Sequence, residues 1–73
     1  MANYGNLEEI KQDQEALEAL VDKYDLKNIL NALVDICHGK AEHLAANWQD
    51  TVSAKLWTDA GRRIDAARAK IYV

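Results

Sequence analysis

Asp35, His38 and Glu42 are the side chains whose types and spacing come closest to chemistry. On a helix, residues three, four and seven apart share one face, so the three could point at one ion. Imidazole and carboxylate are both zinc ligands, but a structural zinc site takes four. No HExxH motif is present, and His43 stands one step off the stripe. Only a symmetric dimer could complete such a site. The competing reading is a solvated polar stripe holding a His38–Glu42 pair, and no metal or other cofactor is expected.

Cys37 is the only cysteine and sits among Leu33, Val34, Ile36 and Leu44. A thiolate nucleophile needs an electropositive setting. His38, adjacent in sequence, projects about 100° away around a helix and is poorly placed as a base. Cys37 therefore reads as a small core hydrophobe. No catalytic residue is expected, and the chain reads as a binding protein and not an enzyme.

A third set is basic. Lys55, Arg62, Arg63, Arg68 and Lys70 could meet phosphates, and Trp57 could stack on a base. Against this, Trp57 lies on an apolar stripe, and the acidic N-terminal third supplies counter-charge. Residues 1–25 carry seven acids and two bases, and residues 51–73 carry two acids and five bases. The two ends should attract each other within one molecule or across an interface.

Three helices must position these groups. The first is expected from about Leu7 to Lys23, with Asn6 as its cap and Leu7, Ile10, Leu17, Leu20, Val21 and Tyr24 as its apolar stripe. The second is expected from about Leu26 to Trp48, capped by Asp25. Asn28, Asn31, Asp35, His38 and Glu42 form one narrow polar stripe on it, and the rest of its circumference is largely apolar. That width calls for more than one covering neighbour. The third is expected from Asp50 or Thr51 to about Ile71, with a seam of Trp57, Ala60, Ile64, Ala67 and Ile71. Gly39 and Gly61 are either sites of close helix contact or tolerated defects. Trp48 and Trp57 are expected to cap the core at one end of a helical hairpin.

The expected architecture is all-α: a hairpin plus an N-terminal helix, one domain over residues 1–73, with residues 1–6 a flexible N-terminus. At 73 residues a lone monomer is marginal, and no disulfide can form within the chain. A homodimer completing the bundle is the expected remedy, with Leu33, Cys37, Leu44, Trp48, Trp57, Ile64 and Ile71 in the core or interface. The N-terminus has no basic region and no apolar run of signal-peptide type. No run approaches the roughly 20 apolar residues of a membrane span. The expectation is a cytoplasmic protein with no membrane contact.

The stretch Lys40-Ala41-Glu42-His43-Leu44, Asn47-Trp48-Gln49-Asp50 and Trp57 resembles short helical proteins of bacteria, plasmids and phages that share a KAEHL…NWQD…W core. With its flanks the resemblance covers about half the chain. It implies a compact helical module of mobile-element origin, and it brings no catalytic or ligand residue with it. The function expected is a protein-interaction module, in one form an inhibitor or adaptor acting on a host protein. Its partner surface would be Asn31, Asp35, His38 and Glu42, or Arg62, Arg63 and Arg68. Nucleic-acid binding through the third helix, and metal or small-ligand binding in the bundle, are the alternatives.

Overall fold

Two aspartates punctuate the chain. The computed structural model describes residues 7–73, with side chains from Glu9 onward. The flexible lead at 1–6 and the Asn6 cap fall outside the described residues. Helices α1 (Leu7–Tyr24), α2 (Leu26–Asn47) and α3 (Thr51–Arg68) account for most of the chain, and the described residues contain no strand. The fold is all-α, as the periodicity predicts.

Asp25 alone joins α1 to α2. It sits at φ 66°, ψ 162°, a region that side chains other than glycine rarely occupy. A closed set of bonds holds it there. Its carboxylate accepts from the Asn28 backbone N–H at 2.9 Å and from Asn28 Nδ2 at 3.2 Å, while Asn28 Nδ2 also donates to the Tyr24 carbonyl at 2.9 Å. Helix ends leave such groups unpaired. Asn28, the first residue of the polar stripe, is thus engaged at the corner.

Asp50 caps α3 in the same manner, accepting from the Ser53 N–H at 3.0 Å. That backbone bond, and then the Ser53 side chain, hold its carboxyl below the ordinary 3.8. A depressed folded-state pKa contributes stability above the unfolded value and loses it as pH falls through the folded one. Asp50→Asn should therefore flatten the decline of Tm below about pH 4 relative to the parent. Parallel pH–Tm curves for the two proteins would contradict that role.

Small residues bring α2 and α3 together. The buried positions are Val34, Cys37 and Ala41 on α2 and Ala54 and Gly61 on α3. A Cβ placed on Gly61 would lie 3.1 Å from Cys37 Cβ and 3.4 Å from the His38 ring. The closest approach to α2 runs along Ala54 and Gly61, beside the expected seam, of which Ala60, Ile64 and Ile71 are half-buried and Trp57 is 38% exposed. A tryptophan between the two backbones would hold them apart, whereas alanine and glycine allow contact. Gly39 has nothing within 4 Å of an added Cβ. Gly39→Ala should raise stability by about 0.5–1 kcal/mol through helix propensity alone, visible as a higher Tm. A lower Tm would mean that Gly39 meets something in solution.

Helix α3 ends three residues earlier than expected. Lys70 N–H bonds Ala67 O at 3.0 Å and Ile71 N–H bonds Arg68 O at 3.2 Å, so the last turn tightens to three-residue bonds. Ile71 follows the helix and is half-buried.

The molecule is open. Helix α1 meets α2 but not α3, and the extents are 36 × 34 × 15 Å. The thinnest dimension is little more than one helix diameter of about 10–12 Å. The radius of gyration is 14.5 Å, against about 11 Å for a compact chain of this length.

Candidate interaction surfaces

The α2–α3 hairpin presents two unlike flanks. On one, Ala41, Ala45 and Ala54 floor an open groove of about 490 Å³, rimmed by Glu42, Lys55, Asp59 and Arg62. His38 and Thr58 extend it through a smaller recess shared with Ala41 and Glu42. Thr58 Oγ1 is engaged by its own helix, donating to the Ala54 carbonyl at 3.0 Å. Carboxylates and cations alternate on this rim, and the floor is apolar. The groove suits a protein segment carrying both signs of charge better than a polyanion.

The expected polar stripe therefore divides. His38 and Glu42 stand on the groove, with the His38 ring also covering Gly61. Asn31 and Asp35 are exposed further along α2. No group of three metal-ligating residues converges among the described residues. Asp35 and Glu42 are separated by roughly 10 Å of helix axis, and neither is drawn toward a common point by packing. The basic set divides too. Arg62 lines the groove beside Asp59, and Arg68 pairs with Asp65 at 3.0 Å. Arg63 projects about 100° away from Arg62. The bases do not form one patch.

The other flank is apolar. Helix phase places Leu33 and Leu44 of α2 on it, with the exposed Lys40 between them, and Trp57, Ala60 and Ile64 of α3. Leu33 and Trp57 are exposed, while Leu44 and Ile64 are half-buried. Of the residues expected in the core or interface, Cys37 alone is buried within the chain. Trp48, 71% exposed, does not cap the core, whereas Trp57 is 38% exposed. The Trp48 indole donates to His43 Nε2 at 3.2 Å, and His43 Nδ1 lies 2.9 Å from the Asn47 side-chain amide. His43 thus steadies the end of α2, a role that its spacing with Glu42 did not suggest.

Helix α1 adds a second open apolar line. Ile10, Leu17, Leu20 and Tyr24 are all exposed, Leu17 at 59%. Sequence reasoning missed Lys55, Thr58 and Asp59 as groove residues. The available signal was the run of small residues at 54, 58 and 61, whose spacing is helical.

No described helix is long and apolar enough to cross a membrane. Comparison with models of protein families, with curated proteins and with solved structures finds no match to this chain.

Proposed function

We propose that this chain is a non-enzymatic protein-interaction module that works as a homodimer, of the kind a phage or plasmid encodes to inhibit or adapt a cytoplasmic host protein. The observation that supports it is uncovered apolar surface. Ile10, Leu17, Leu20 and Tyr24 on α1 and Leu33 and Trp57 on the hairpin are all exposed, and a standard interface takes about 800 Å² from each partner. The dimer uses the apolar lines, and the groove with its mixed-charge rim remains for the host protein. The division of the bases between groove, Asp65 and outer face counts against a phosphate-binding surface on α3.

Melting at several concentrations tests the dimer, because association of the folded state makes Tm rise with protein concentration. A Tm constant over about a hundredfold range contradicts it. For the groove, Lys55→Glu/Arg62→Glu should lose a host protein that the parent captures. Recovery of the same protein by both would place the contact elsewhere.

A further inference from the structure

The apolar line on α1 and the apolar flank of the hairpin have matching geometry and opposite charge. Ile10, Leu17 and Tyr24 recur at seven-residue steps, with Leu20 alongside, and all four are exposed. In a heptad that centres this line, Asp13 falls on one edge with Leu20, and Glu18 falls on the other with Lys11. On α3, Trp57 and Ile64 are also seven apart, with Ala60 between them and Ala67 after. One edge of that heptad holds Leu56 and Arg63, and the other holds Arg68 one heptad beyond Gly61, which is buried against α2. The α3 acids, Asp59 and Asp65, fall outside both edges. Arg68, half-buried, is shared with the exposed Asp65 on its own helix, a surface pair of the kind that contributes little.

The same chain cannot bring these two surfaces together. Helices that double back on one another need a loop of about 2–5 residues, and Asp25 is the only residue between α1 and α2. Helix α1 leaves at that corner without reaching α3. We infer that α1 of one copy packs along the Trp57–Ile64 flank of a second copy, and that the exchange is reciprocal, so that each first helix closes the other protomer's hairpin. The alanines at 60 and 67 make room for Leu17, Leu20 and Tyr24. Asp13 and Glu18 of α1 meet Arg63 and Arg68 of α3 twice, once at each symmetric contact.

The inference rests on the dimer reading, and a charge exchange in the full chain separates the two. One variant carries Asp13→Lys/Glu18→Lys, the other Arg63→Glu/Arg68→Glu. Asp13, Glu18 and Arg63 are exposed, so helicity by circular dichroism should match the parent. Arg63→Glu alone serves if the half-buried Arg68 position does not tolerate the change. In sedimentation equilibrium each variant alone should associate at least tenfold more weakly than the parent, since like charges face each other at both contacts. An equimolar mixture should recover parental association, because both contacts of the heterodimer then pair opposite charges. Variants that dimerise like the parent, or a mixture that does not recover, overturn the exchange and leave the dimer standing. A contact between the two α1 helices would leave the α3 variant unaffected, which also overturns it. A parent that is monomeric removes both readings.

Discussion

Gly61→Leu is expected to abolish the cooperative fold of the hairpin. The glycine faces Cys37, and even a single added carbon would lie 3.1 Å from Cys37 Cβ. Three further carbons have no space to enter unless α3 lifts from α2. Overpacking of a formed core costs about 1–3 kcal/mol and sometimes more. Here the core is small: Val34, Cys37, Ala41 and Ala54 are its buried hydrophobic residues. A domain of this length has a total stability of about 4–11 kcal/mol. Lifting α3 would expose all four residues together, so the loss should be a large part of that total. Circular dichroism should show a Tm lowered by more than about 10 °C, or no transition. A parental melting curve would mean that the hairpin does not pack through Gly61.

The second large effect is expected at positions where the isolated chain predicts almost none. Leu17 and Leu20 are 59% and 44% exposed, and substitutions at such positions usually change stability by less than about 0.5 kcal/mol. If a second copy buries them, each leucine contributes about 1.5–3 kcal/mol to association, and the symmetric dimer counts each twice. Leu17→Asp/Leu20→Asp should therefore weaken association by at least about a hundredfold. The hairpin should keep its helicity, because both residues are exposed and the buried residues all lie on α2 and α3. A double variant with the parent's mass and concentration dependence would show that α1 lies outside the interface.

The element boundaries were legible because they rest on local chemistry. Asp25 and Asp50 precede helical patterns and cap them by bonding Asn28 and Ser53, and periodicity found α1 and α2 to within a residue or two. The line of closest approach on α3 was not legible. Trp57, Ala60, Ile64 and Ala67 give a strong seven-residue signal, but a sequence pattern does not say how much of an apolar line its own chain covers. The buried positions on α3 are Ala54 and Gly61, residues with little hydrophobic signal, whose contribution is close approach and not area. The corner at Asp25 was equally hidden. An aspartate before a helix reads as a cap, and only the backbone shows that it is also the whole connection. Of the candidate site, the polar stripe on α2 was visible, but its division between the corner at Asn28 and the groove at His38 and Glu42 depends on where α3 lies.

The central claim is that a second copy closes the apolar surfaces this chain leaves open. Sedimentation equilibrium of the full chain at micromolar concentration tests it most directly. A species of twice 8.2 kDa that dissociates on dilution is expected. A single species of 8.2 kDa across the whole concentration range would contradict it.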